Sequence, residues 1–251
     1  MISAGLIYDK IQSFAPFETA MDFDNVGLLI GNTEQKSDIV LLALDITSDI
    51  INEAIIKKAK IIVTHHPIIF HPLKKISSES LVFKLVKNDI TVISAHTNLD
   101  LAKGGVNDTL ANTIGVFSEN GTNDDCLLVG TLQNEFTSES FAQHIKNVLN
   151  CCGLRFTKRY GKIRRVGVAC GAGGESIFAA AAENADAFVT GEIKHHELLY
   201  AQEKNIAVYD LGHFRSEDLI INKLTSYLSE SFPDTTFVHS ENDTEKIFYL
   251  T

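Results

Sequence analysis

VLLALDITSDIINEAIIKKAKIIVTHHP (40–67) is the stretch on which the fold turns. Its opening, VLLALDI (40–46), is almost wholly apolar, the pattern of a buried strand. SDIINEAIIKKAK (48–60) then spaces Ile50, Ile51, Ala54, Ile55 and Ala59 as a helix would, with Thr47 or Ser48 as its N-cap. IIV (61–63) returns to strand. Further on, LVFKLVKND (81–89) reads as helix and ITVISA (90–95) as strand. Strands alternating with helices build βαβ units and a mainly parallel sheet.

The second half repeats this rhythm. RRVGVAC (164–170), AFV (187–189) and IAVYDL (206–211) read as strands, and ESIFAAAAENA (175–185) and HHELLYAQEKN (195–205) as helices. Moved forward by 126 positions, residues 40–64 fall on 166–190, and the strand–helix–strand order coincides. Identical pairs are Val40/Val166, Ala43/Ala169, Ile51/Ile177, Ala54/Ala180, Ala59/Ala185, Val63/Val189 and Thr64/Thr190. An internal duplication accounts for this. The expected architecture is α/β: two related three-layer α/β domains with mainly parallel sheets. The first would span 1–122 and the second 123–251, with the polar SENGTNDD (118–125) as the seam and the C-terminal segment able to pack back on the first. TSESFAQHIKNVLN (137–150) and the amphipathic SEDLIINKLTSYLSE (216–230) are expected helices.

Composition excludes several classes. The 251 residues carry 22 Lys+Arg against 32 Asp+Glu, a net charge of −10. That balance argues against a nucleic-acid binder and against docking on anionic lipid. Hydrophobic residues at 45% indicate a globular chain rather than a disordered one. Cys126, Cys151, Cys152 and Cys170 form no C-x-x-C pair, as expected of reduced thiols in a cytoplasmic protein. MISAGLIYDKIQSFAPFE (1–18) lacks the basic start and apolar core of a secretory signal, and no apolar run approaches the ~18 residues of a membrane span.

The residues that carry chemistry cluster at strand ends, where parallel α/β sheets gather ligands. Thr64-His65-His66-Pro67 follows IIV, and adjacent histidines suit one ligand to each of two nearby metals. His96-x-x-x-Asp100 follows ITVISA, and His213-x-x-x-Glu217 follows IAVYDL. Imidazole nitrogen and carboxylate oxygen are ligands that zinc, iron, manganese and cobalt accept, and a carboxylate can bridge two of them. Gly191-Glu192 takes the place in the second repeat that His65-His66 takes in the first. Glu192 and His195 are candidates for proton transfer, with His96. The turn Gly171-Ala172-Gly173-Gly174 could cradle an anion or simply turn tightly from strand to helix. RFTKRYGKIRR (155–165) holds six basic groups and no acid; it reads as a solvated hairpin or a phosphate contact. His71, His144 and His239 show no carboxylate in register and read as structural or surface residues.

FDNVGLLIG (23–31), THHPIIF (64–70), AHTNLDLAKGGVNDTLA (95–111), VTGEIKHHELL (189–199) and GHFRSE (212–217) together resemble the GTP cyclohydrolase 1 type 2 homologue family, also called Nif-three-like, in its short form. The resemblance implies a dinuclear site of two divalent metal ions per subunit, of unspecified identity. Its implied ligands are His65, His66, Asp100, His213 and Glu217, with His96 beside them. It also implies a homohexamer, a ring with the metal sites facing an internal cavity. Phe23 departs from the family's usual Trp, and ENDTEKIFY (241–249) lacks an expected Pro. The implied activity is a metal-dependent hydrolase acting on a nucleotide, opening the guanine imidazole ring of GTP with loss of formate. The same ligands would serve a divalent-metal chaperone or insertase. A regulatory interaction protein is the third reading, and the acidic balance argues against its touching DNA directly.

Overall fold

The computed structural model describes residues 1–118, 126–248 and 250. The chain forms two compact units, Met1–Ala102 with Ile220–Thr244, and Lys103–Leu219 with Glu245–Thr251. The seam expected at 122/123 lies outside the described residues. The helix and strand just upstream of it already belong to the second unit.

The first unit opens with β1 (Ile2–Ser3), α1 (Ala4–Phe14), β2 (Gly27–Ile30) and β3 (Lys36–Ser37). Then follow β4 (Ile39–Ala43), α2 (Ser48–Lys57), β5 (Ile61–Thr64), α3 (Leu81–Lys87), β6 (Thr91–Ser94) and α4 (Thr97–Leu101). Strands β4, β5 and β6 are parallel neighbours, and β2 closes one edge antiparallel to β6. Every residue of β5 and β6 is buried, which is why these segments read as unbroken apolar runs. Helix α2 starts on Thr47, whose hydroxyl accepts from the Ile50 amide, and ends on Lys58 in the left-handed conformation, φ 58°. Ile50, Ile51 and Ala54 pack with Leu41, Ala43, Ile62 and Val92. Ile55 was expected among them but is exposed, whereas Glu53 is buried. The reason is local: Ser240, Asn242 and the Glu241 amide all donate to the Glu53 carboxylate, which makes its burial tolerable.

The second unit contains α5 (Val106–Thr113), β7 (Val116–Ser118), β8 (Leu128–Phe136), α6 (Ser138–Val148), β9 (Arg155–Phe156), β10 (Ile163–Ala169), α7 (Ile177–Ala182), β11 (Ala187–Thr190), α8 (His195–Glu203) and β12 (Ala207–Asp210). Strand order is β7-β8-β10-β11-β12-β9. Only β10, β11 and β12 are parallel, so this sheet is mixed. Side chains alternate across it. Val166, Val168, Ala187, Val189 and Tyr209 meet Leu110, Phe141 and Ile145 on one face. Ala169, Phe188 and Val208 meet Ile177, Ala180 and Ala201 on the other. That gives the three layers. The hairpin expected over 155–165 does not form, because β9 pairs with β12 instead of β10.

Helix α9 (His213–Ser231) runs from the second unit into residues counted with the first. β13 (Thr236–His239) then adds a parallel strand beside β4, making the first sheet β13-β4-β5-β6-β2. His239 does have a carboxylate in register, contrary to expectation. Its Nε2 lies 3.1 Å from Asp243 Oδ2, which also accepts from the Leu44 amide.

The two central βαβ cores match in register. Val40 opposes Ile61 and Ala43 opposes Thr64; 126 positions on, Val166 opposes Ala187 and Ala169 opposes Thr190. The helix ends match as well, with Lys58 and Asn184 both left-handed, and with Ala59 and Ala185 donating to Ala54 and Ala180. No described helix is long and apolar enough to cross a membrane.

Candidate metal centre

In the first unit the ladder continues past β5. The amides of His65 and His66 donate to Ala43 and Leu44 at 3.2 and 2.8 Å, so both imidazoles leave the carboxyl end of the sheet. His65 is 1% exposed, and its Nδ1 lies 2.8 Å from the Ala95 carbonyl. A carbonyl only accepts, so Nδ1 carries the proton and Nε2 the lone pair. His66 Nδ1 lies 2.9 Å from Asp45 Oδ1, and His96 Nδ1 2.9 Å from Asp24 Oδ1. All three rings are thus held by the same device, an acceptor on Nδ1 that fixes tautomer and orientation, as around metal-ligating histidines. One ring nitrogen from each lies within 4.8 Å of the others. The resemblance put His96 beside the ligands; its ring centroid is 5.1 Å from that of His65, close to the 5.0 Å between His65 and His66. Asp100, on α4, brings Oδ1 to 3.5 Å from His65 Nε2.

Asp24 is the buried anchor of this cluster. Its side chain is fully shielded, and it accepts from His96 Nδ1, the Thr97 amide and the Thr97 hydroxyl. Burial alone would raise its pKa. The hydrogen bonds from His96 and Thr97 outweigh burial and hold the carboxyl well below its ordinary range.

In the second unit β11 ends on Thr190 and Gly191-Glu192 follows. Glu192 Oε1 lies 2.7 Å from Nδ1 of His213, the first residue of α9. Glu217, one turn along the same helix face, brings Oε2 to 3.2 Å from His213 Nε2. A Cβ on Gly171 would fall 2.2 Å from Glu217 Oε1 and 3.3 Å from His213 Nε2, and its φ of +55° suits glycine. The Gly171 amide donates to Ser216 Oγ, which donates to the His213 carbonyl. On Gly191 a Cβ would meet Ser216 Oγ at 2.5 Å. Packing therefore explains these glycines. Gly174, likewise, leaves room for the Glu197 carboxylate. His195 opens α8 and is exposed; the contacts that orient His213 come from Glu192 and Glu217 instead.

The residues present fit divalent cations. Imidazoles held through Nδ1, with carboxylates close by, are a donor set for zinc or a neighbouring first-row metal. Asp24, Asp45 and Ser216 were missed from the sequence, and Gly171 was read there only as part of a turn. Asp24 sits inside the FDNVGLLIG block and Asp45 at the end of the first strand, so each lay next to a recognised feature. The basic segment is mostly committed elsewhere. Arg155 pairs with Asp210, Lys158 with Glu139, Arg159 with Asp186 and Arg165 with Glu183. His144 donates through Nε2 to the Ile114 carbonyl at 3.0 Å and packs on Phe141, a structural role.

Known proteins are similar to this chain over most of its length. A Clostridium acetobutylicum protein named GTP cyclohydrolase 1 type 2 homolog is 34% identical over 250 residues, 93% of each chain. One of the same name from Clostridium perfringens is 32% identical over 94% of this chain and 95% of its own. The crystal structure of Staphylococcus aureus hypothetical protein SA1388 superposes with a TM-score of 0.90 at 28% identity, over 99% of both chains. Residues 2–246 match the Duf34/NIF3 (NGG1p interacting factor 3) family throughout. With the strand-end histidines and carboxylates in place and the match running nearly end to end, the chain belongs to the Duf34/NIF3 family.

Proposed function

We propose that this protein is a dinuclear metal-dependent hydrolase acting on a nucleotide, with His65, His66, Asp100, His213 and Glu217 as ligands of two divalent ions. The observation that carries this is the shared orientation device. Four imidazoles, His65, His66, His96 and His213, each have Nδ1 against a carbonyl or carboxylate oxygen. Each therefore offers Nε2 as the lone-pair nitrogen, an order that a purely structural core would not require. Bound ions would polarise the substrate and lower the pKa of water. The chain's own groups supply the rest. Glu217 and Asp100 stand beside ligand imidazoles, where a carboxylate can bridge. His96, backed by Asp24, can take a proton at Nε2, and the exposed Glu192 can pass one to solvent. The names of the relatives, GTP cyclohydrolase 1 type 2 homolog, support GTP as the substrate, and the reaction would open its imidazole ring with release of formate. A ring-shaped homohexamer in the cytoplasm completes the proposal.

The test is incubation of zinc-, iron-, manganese- or cobalt-loaded protein with GTP, followed by pterin fluorescence and formate assay. Turnover that disappears in His65→Ala and Asp100→Ala supports the reading; none above that background rejects it. A metal-delivery role is the second reading. It is favoured by the exposure of the Glu192 and His213 side chains, 59% and 35%, since ligand exchange needs access. Transfer of bound metal to an apo acceptor, faster than release into buffer, would select it.

A further inference from the structure

Two phenylalanines stand exposed beside the imidazole cluster, Phe23 at 60% and Phe70 at 38%. A single exposed apolar side chain needs no explanation. Here the two rings face each other, centroids 6.2 Å apart at 46°. Phe70 is also edge-on to His96, at 6.3 Å and 77°. Both are fastened to the cluster through their neighbours. Asp24, next to Phe23, bonds His96 and Thr97. Asn25 donates through Nδ2 to the carbonyl of Ile69, next to Phe70, at 2.5 Å. The segment that orients His96 through Asp24 is therefore also tied, through Asn25, to the segment that carries Phe70.

We propose that Phe23 and Phe70 form an aromatic wall on which the purine base of the substrate stacks beside the imidazoles. This rests on the reading that the site acts on a nucleotide, and it adds the residues that would recognise the base. Two stacked interfaces of roughly 3.5 Å each need about 7 Å. Rings 6.2 Å apart and tilted leave less than that, so the base lies on one face of the wall, not between the rings.

The protein has no tryptophan, so Phe70→Trp introduces a single reporter. In zinc-loaded protein, guanosine should quench its fluorescence saturably and ribose 5-phosphate should not. By calorimetry, Phe23→Ala and Phe70→Ala should each weaken guanosine binding by roughly 5- to 100-fold, as loss of a base-stacking ring does. Phe70→Leu, which keeps bulk without a π-face, should lose most of the same affinity, and Phe70→Tyr should retain it. Absence of guanosine binding, or binding that both alanine variants keep unchanged, overturns the wall. So does a double alanine variant that changes oligomeric state while keeping its guanosine affinity, because the rings then serve contact between copies. Ring-dependent guanosine binding without GTP turnover leaves the wall standing and removes the hydrolase. Turnover with KM unchanged in both alanine variants does the reverse.

Discussion

The two βαβ cores share a backbone register and divide the same chemical task differently. In the first, the strand end carries the imidazole, His66, and the loop after the first strand carries its acceptor, Asp45. Move 126 positions on and the loop residue is Gly171, while the strand end holds the acceptor, Glu192. The imidazole it holds, His213, comes from α9. Gly191 replaces His65 because Ser216 and the Gly171 carbonyl fill that space. The repeated scaffold thus shares its hydrogen-bond ladder but distributes donor and acceptor differently among its loops. The lesson is that strand-end positions are interchangeable in role so long as each imidazole keeps one oriented partner.

Four measurements would break or sharpen that comparison. The largest effect should follow ligand removal. His65→Ala with His66→Ala in one unit, or His213→Ala in the other, should each weaken zinc binding at least a thousandfold by competition titration. That exceeds the about 10- to 100-fold expected of a second partner. Equal binding after either change would refute the shared design.

Next comes acid stability, which should mark the first core alone, because Glu53 corresponds to Ala179 in the second. Burial opposes the Glu53 charge, but bonds from Ser240, Asn242, Glu241 and Lys57 bring its pKa down to about 2 from 4.5. A depressed carboxylate stabilises above its unfolded pKa. Its contribution is full above about pH 5 and fades as pH falls toward 2, some 2–3 kcal/mol in all. Urea unfolding at pH 5 and pH 2.5 should show this loss in the wild type and much less of it in Glu53→Gln.

Gly171→Ala should cost ~2 kcal/mol, from a left-handed φ in a non-glycine residue, and should displace Glu217. Asp45→Ala, at the corresponding and 55% exposed position, should change stability by only ~0.5 kcal/mol. Thermal denaturation of the two variants reads the difference. The smallest effect should be in Glu192→Gln and Asp45→Asn. Each keeps an oxygen for Nδ1 but loses its charge, so zinc affinity should fall about tenfold in both. A fall in only one would show that the two acceptors are not equivalent.

Much of this was legible from residue order. Apolar runs such as IIVT and TVIS are buried on every residue, so periodicity located their strands directly. Helix starts were readable because Thr47 caps through its own side chain. The edges were not. β9 and β13 are short and take their partners from distant chain, β12 and β4, and nothing local encodes that choice. Ile55 and Glu53 were likewise reversed by a segment nearly 190 residues away.

By itself the sequence determined the repeated βαβ unit, the positions of His65, His66 and His96 just after strands, those of Asp100, His213 and Glu217 on the helices that follow strands, and the family. These depend on periodicity and spacing, which act within a few residues. Only the tertiary structure decided which nitrogen each imidazole presents, because Asp24 lies 72 positions from His96, Asp45 21 from His66 and Glu192 21 from His213. A tautomer is set by the acceptor that folding brings within 3 Å, and that acceptor is a property of packing, not of neighbours in the chain.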